Sequence, residues 1–294
     1  MSGPVIGFAG GLIDRADHIR NDPEKLASLR DWRARLLKLD GLDPVIDAQD
    51  RLEWGTLADC SPDAELVFLG IQDSRACFAA IPGEGEAGMI RIGGRAWSAM
   101  GILGPDDLAA YGMARSLVDW HARHRFCAVC GEKTALAKGG WQRSCTVCKA
   151  QHFPRVDPVT IMLVEHDGKL LLGRQPRFPE RRYSLLAGFV EPGESIEEAV
   201  AREVQEEAGV IAHSVAYVAS QPWPFPSQLM IGCYAKADNP AITIDATELE
   251  DARWFTRSDV AEAMLAKQDS TTTAFIAPPP QAIAHQLMQW WLDQ

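Results

Sequence analysis

Residues 195–209 read as a helix whose apolar face carries two carboxylates, and this constrains the chain more than any other feature. Ser195 with Glu198 three residues later forms a capping box, which sets the helix start. Gly209 suits a left-handed C-terminal stop. Between them Ile196, Ala199, Val200 and Val204 recur at three- and four-residue spacing and make one apolar stripe. Glu203 and Glu207 fall on that same stripe, one helical turn apart. A helix that only packed on a sheet would carry Leu or Val there, because burying two carboxylates costs several kcal/mol unless cations pair with them. Glu198, Arg202 and Glu206 repeat every four residues on the outer side, as expected of an ordinary salt-bridged face. The inward pair has the chemistry of ligands for a hard divalent cation such as Mg2+ or Mn2+.

A second metal centre is written in the cysteines. Cys127 and Cys130 form one Cys-x2-Cys pair and Cys145 and Cys148 another, with 14 residues between them. Each pair makes a tight knuckle aiming two sulfurs at one ion. Four thiolates leave no open position for water, so the pattern predicts one structural Zn2+ per chain. Cys60, Cys77 and Cys233 are scattered and the total of seven is odd. That distribution argues for a metal site in a reducing compartment rather than a disulfide framework. Zinc ribbons both bind nucleic acid and hold domains together, so the ribbon alone assigns no function.

The chain divides at the cysteines. Residues 1–120 mix helical stretches (22–39 and 106–124) with short strand-like runs such as 65–71, and present no motif with recognisable chemistry. The stretch 106–124 leads directly into Cys127, so it is expected to dock the ribbon on the first domain. After Cys148 the texture changes. An apolar, β-branched run at 159–164, the turn Asp167-Gly168 and the run 169–172 read as a hairpin. Strands follow at 183–190, 214–219, 229–235 and 253–255, and helices at 195–208, 258–266 and 281–293. This order predicts an α/β sandwich rather than repeated βαβ units. The expected organisation is an N-terminal α+β domain at 1–120, a zinc ribbon at 121–155 and an α/β domain at 156–294.

The net charge of −11 and pI near 5.1 set a field that repels polyanions unless metal ions or a local basic patch intervene. Residues 115–149 hold seven basic side chains against two acids, a stretch read here as a solvated surface. No run of about 18 apolar residues occurs, which argues against a membrane span. Residues 1–13 lack a basic lead before an apolar stretch, which argues against a signal peptide and for the cytosol.

Residues 188–210, GFVEPGESIEEAVAREVQEEAGV, resemble an unbroken Nudix box: Gly188, five residues, Glu194, seven residues, then Arg202-Glu203-Val204-Gln205-Glu206-Glu207-Ala208-Gly209-Val210. The resemblance implies a Nudix α/β/α sandwich with a mixed sheet. It implies that Glu203, Glu206 and Glu207 are catalytic metal ligands, that Arg202 orients the glutamates, and that Gly188 gives the backbone room beside the metal. Outside the box, residues 220–227 (Ser-Gln-Pro-Trp-Pro-Phe-Pro-Ser) alternate three prolines with two aromatics. They read as a stiff loop presenting Trp223 and Phe225, either to a base or nicotinamide ring or to the core.

Ribbon, box and this loop together resemble the NADH pyrophosphatase branch of the Nudix family over residues 121–290. By that resemblance Gln221, Pro222, Trp223, Pro224, Phe225, Pro226 and Ser227 line a dinucleotide site, and Phe189 faces the nicotinamide. Phe153 stands where the branch often has tyrosine. Glu248 is a further metal ligand, Ala187 a backbone contact at the metal and Ala284 a backbone contact to substrate. The implied activity is metal-dependent hydrolysis of the pyrophosphate of NADH or NAD to NMNH or NMN and AMP, by a homodimer. The same bond occurs in the NAD cap of RNA, a closely related alternative. An alternative of another class is a zinc-ribbon regulator whose Nudix part binds a nucleotide without turnover.

Overall fold

The computed structural model describes residues 6–83, 94–267 and 270–294; residues 1–5, the start of the segment read above for a signal peptide, lie outside the described residues. The chain forms two compact units. One comprises Met1–Gly7, Asp157–Gln221 and Gln228–Gln294, and the other comprises Phe8–Val156 with Pro222–Ser227.

The first unit is built on a six-stranded mixed sheet. Its order is Ala212–Trp223, Gln228–Ala237, Asp157–His166, Lys169–Arg174 and Asp251–Thr256, with Leu186–Phe189 also paired to Asp157–His166. The central strand runs parallel to Gln228–Ala237 and antiparallel to Lys169–Arg174 and Leu186–Phe189. Its near-continuous apolar run suits a strand buried on both faces. Ile161 and Leu163 point into a core shared with Val260, Ile283, Leu287 and Trp291, from helices Arg257–Leu265 and Ile283–Leu292. Met162 and Val164 point into the opposite core, shared with Val200, Val204 and Ala208 of helix Ile196–Ala208. Period-two alternation along one strand therefore separates two helical layers, and the result is an α/β/α sandwich. Asp167 and Gly168 both adopt positive φ (47° and 71°), the geometry of the tight turn expected there.

The second unit carries a four-stranded sheet in the order Trp54–Gly55, Arg35–Leu37, Arg75–Ala80, Leu66–Gln72. Residues 22–39 were expected to be one helix; only Pro23–Ser28 is helical, and Arg35–Leu37 is a strand paired with Arg75–Ala80 and Trp54–Gly55. The cause is tertiary. Leu36 packs with Phe68 and Phe78 on one face of the sheet, and Leu37 packs with Val67, Leu69 and Ala79 on the other. A strand can satisfy two opposed cores with adjacent residues, and an amphipathic helix cannot. Helix Pro105–Arg123 forms where the sequence places it and buries Leu108, Tyr111, Ala114, Leu117 and Val118.

The ribbon belongs to this unit as a small sheet of Thr134–Ala137, Gln142–Cys145 and Gln151–His152. The long helix does dock it. His121 Nε2 lies 2.6 Å from the Gly140 carbonyl, and Arg143 Nη1 lies 3.1 Å from His121 Nδ1. Trp141 Nε1 donates to the Phe68 carbonyl at 2.8 Å, tying the ribbon to the four-stranded sheet as well. The basic stretch 115–149 is therefore not simply a solvated surface: Arg115 and Arg143 are 1% and 2% exposed and serve internal contacts.

Candidate active site and zinc centre

The box helix is fixed at both ends by local chemistry. Ser195 Oγ accepts from the Glu198 amide at 3.2 Å, and Glu198 Oε2 accepts from the Ser195 amide at 2.7 Å. Gly209 closes the helix with φ 67°. The last carbonyls are taken by the following segment: Thr243 N donates to Ala208 O at 2.8 Å and Asp245 N to Glu207 O at 3.1 Å. The Glu248 amide then donates to Asp245 O at 3.1 Å, so the turn carrying Glu248 is tied to the end of the helix carrying Glu207.

Along the helix, Glu203 and Glu207 are buried, as the stripe predicted, while Glu206 stands outside. Glu203 sits against Gly188 of strand Leu186–Phe189. Its Oε1 accepts from Arg202 Nη1 at 2.9 Å. Burial raises the Glu203 pKa, and Arg202 opposes that shift. Glu207 has no such help. Its Oε2 is buried with no hydrogen-bond partner, and burial, then the charges of Glu203 and Glu248, push its pKa up to about 8. Such an arrangement fits a divalent cation, because an orphaned buried carboxylate among other carboxylates is what a bound hard cation would satisfy. Among the described residues, however, only the four cysteines bring three or more ligand atoms into one tight group.

Arg202 is the hub of the site. It donates to Glu203, to Glu206 Oε2 at 2.9 Å and to the Phe189 carbonyl at 2.9 Å. Its strongest partner is one the sequence reading used only for spacing: Glu194 Oε1 accepts from Nε at 2.6 Å and Oε2 from Nη2 at 2.9 Å. That fork, with the Glu191 amide, holds the Glu194 carboxyl down at about 2. Glu194 thus fixes the guanidinium that orients Glu203. The available signal was an acid eight residues before an arginine, with the capping box folding the chain back between them.

The remaining candidates fall as follows. Ala187, Gly188 and Phe189 pair with Ile161, Thr160 and Val159, and Phe189 is 52% exposed. Gln221 is 1% exposed and works as an internal strut: Nε2 donates to Gln281 O at 2.7 Å and Gly7 O at 3.2 Å, and Oε1 accepts from the Ile283 amide at 2.8 Å. It therefore caps the start of helix Ile283–Leu292, where buried Ala284 lies.

Residues 220–227 are not a free loop. Strand Ala212–Trp223 runs to Trp223, Pro224–Ser227 form a turn, and Gln228 begins the next strand. In the second unit Phe225 is buried edge-on to Phe8 and to Trp223, with centroids at 5.8 and 5.2 Å. Trp223 also meets Trp97 at 6.1 Å. Pro222 is exposed, Pro226 half-buried, and Pro224 and Ser227 buried.

In the ribbon the four sulfurs of Cys127, Cys130, Cys145 and Cys148 all lie within 4.8 Å of one another, and none is in a disulfide. Cys127 and Cys148 are 3.6 Å apart, and Cys130 and Cys145 3.5 Å. Tetrahedral Zn–S bonds of about 2.3 Å require sulfurs about 3.8 Å apart, so the donor set fits zinc. The Cys148 amide points at Cys145 Sγ (3.4 Å) and helps hold that thiol down at about 6. His152 Nε2 lies 3.3 Å from Cys127 Sγ. Phe153, next to it, is 58% exposed.

Comparison with known proteins follows the same division of the chain. Residues 154–275 match the NUDIX domain, and residues 122–153 match the NADH pyrophosphatase zinc ribbon domain. The fold and the glutamate helix thus define a Nudix hydrolase. The human NAD-capped RNA hydrolase NUDT12 is 42% identical over 344 residues, covering 97% of this chain and 73% of its own. The Mycobacterium tuberculosis NAD-capped RNA hydrolase NudC is 37% identical over 309 residues, covering 98% and 94%. A Nudix hydrolase structure from Nitrosomonas europaea is 22% identical with a TM-score of 0.44, covering 57% of this chain and 90% of that one. The chain belongs to the NudC-type NADH pyrophosphatase family of Nudix hydrolases, the branch that carries a zinc ribbon.

Proposed function

We propose that this enzyme hydrolyses the pyrophosphate of NADH or NAD, releasing AMP and NMNH or NMN, with Mg2+ or Mn2+ at the glutamates. The observation that carries the reading is the unpartnered, buried Glu207 Oε2 beside Glu203, with Glu248 near enough to raise both carboxyls. Glu203, Glu206, Glu207 and Glu248, with the backbone of Ala187, would hold the cation. When bound, the cation neutralises phosphate charge and acidifies the attacking water. Arg202 and Glu194 keep Glu203 in place. Water attacks one phosphorus, the bridging oxygen leaves with the other phosphate, and a carboxylate of the cluster takes the water's proton.

Trp223 offers aromatic surface toward the dinucleotide from a turn stiffened by Pro222, Pro224 and Pro226 and closed by Ser227, with the buried Phe225 packed against it, and the exposed Phe153 and Phe189 offer further rings. Gln221 acts from below by fixing the backbone around Ala284. The enzyme works as a homodimer in a reducing cytoplasm, in keeping with its free cysteines. Light scattering on the eluting protein tests the dimer. Among the described residues no helix is long and apolar enough to cross a membrane.

A second reading is supported by the names of the relatives: removal of the NAD cap from RNA, which breaks the same bond. One experiment separates the readings. NADH, ADP-ribose and NAD-capped RNA are each incubated with Mg2+ or Mn2+ and with a chelator control. Metal-dependent release of AMP and NMNH from NADH, faster than ADP-ribose cleavage, is the expected result. Cleavage of capped RNA alone selects the second reading, and binding without turnover selects a regulator.

A further inference from the structure

Three prolines in six residues leave the tip at 222–227 short of backbone donors, since Pro222, Pro224 and Pro226 have no N–H to give. Something outside the tip has to hold its carbonyls. In the second unit that donor is Arg115, from the middle of helix Pro105–Arg123. Its Nε donates to the Pro224 carbonyl at 3.0 Å, and its Nη1 donates to the Leu42 carbonyl at 2.7 Å. The guanidinium carbon lies 4.8 Å from the centroid of the Phe225 ring. Tyr111, one turn earlier on the same helix, donates its hydroxyl to the same Leu42 carbonyl at 3.0 Å.

Arg115 is 1% exposed, and among the described residues no carboxylate pairs with it. A buried cation without a counter-ion is a costly choice where Leu or Met would fill similar space. What the guanidinium adds is geometry: a planar fork that reaches two carbonyls while presenting its face to a ring. Lysine, a point donor on a flexible stem, cannot do all three at once.

We propose that Arg115 is a positioning residue for substrate discrimination: by holding Pro224 and the buried Phe225 it fixes the turn that presents Trp223 to the nicotinamide-bearing half of the dinucleotide. The inference rests on the reading that residues 221–227 take the dinucleotide.

The test is steady-state kinetics of the wild type, Arg115→Met and Arg115→Lys on NADH and on ADP-ribose, which lacks the nicotinamide. Thermal midpoint and zinc content report folding. The expected result for both variants is a rise of about tenfold in KM for NADH relative to KM for ADP-ribose, with kcat changed less than about threefold. Lysine restores the charge and not the discrimination. Equal effects on the two substrates, an unchanged KM ratio, or full rescue by lysine would overturn the role of Arg115. If Arg115→Met does not fold, Arg115→Lys keeps the buried cation and decides the matter by the same ratio. Failure of the underlying reading looks different: the wild type itself would show no preference for NADH over ADP-ribose.

Discussion

Gly188 and the carboxylate of Glu203 occupy nearly the same space: a methyl group on Gly188 would lie 1.8 Å from the Glu203 carboxyl carbon. Gly188 does not need an unusual backbone conformation; it needs to have no side chain. Gly188→Ala should therefore displace Glu203 from its place beside Arg202. The clash is with the far end of a flexible side chain, so the fold survives at a cost of about 1 kcal/mol. Turnover should fall at least about 100-fold, since misplacing a reacting group by about 1 Å has that effect. Steady-state turnover at saturating Mn2+ beside a melting curve checks both halves.

Glu207→Gln separates folding from chemistry. The substitution keeps the shape and replaces a buried carboxyl that burial holds largely protonated and whose Oε2 has no hydrogen-bond partner. The thermal midpoint without divalent cations should stay level or rise. Turnover should drop at least about 100-fold at saturating Mg2+, because a group acting on the reacting centre is lost. Near-normal turnover would remove Glu207 from the site.

His121 gives the second unit a pH limit. Burial lowers its pKa to about 4, and the neutral ring is fixed between the Gly140 carbonyl and Arg143. In the unfolded chain a histidine titrates near 6.5. Its contribution is thus fully present above that value and is lost as pH falls toward 4. Between pH 7 and pH 5 the loss is about 2 kcal/mol. Denaturant melts at the two pH values measure it, and the drop should be much smaller in His121→Gln.

Cys145→Ser should remove the zinc and unfold the ribbon with it, since metal binding and folding are one process in such sites. Zinc measured on the purified protein should fall from one ion per chain toward none. Cys60→Ser, outside the group of four sulfurs, should keep the metal. Equal zinc in the two variants would mean that the ribbon does not hold the ion.

What could be read from the sequence was what is decided locally. The start at Ser195, the stop at Gly209 and the inward glutamates follow from residues within two or three turns of one another. The zinc knuckles and the Asp167-Gly168 turn are equally short-range. Arg35–Leu37 reads as helix by local pattern because its partner strand lies about forty residues on, and only that pairing shows that Leu36 and Leu37 face opposite cores. Arg115 and Arg143 looked like surface charges for the same reason: their carbonyl partners, on Pro224, Leu42 and Thr134, are distant or unremarkable in the chain. Glu194 was visible but mute until the chain turned back on Arg202.

The turn at 222–227 belongs, by its packing, with residues 8–156, although its flanking strands belong to the catalytic sandwich. The two halves of the molecule are therefore not exchangeable parts. A chimaera that takes its first 156 residues from one relative and the remainder from another would set a foreign Pro224 and Phe225 against Phe8 and Arg115. To preserve the match, six residues from the middle of the hydrolase would have to travel with the N-terminal donor.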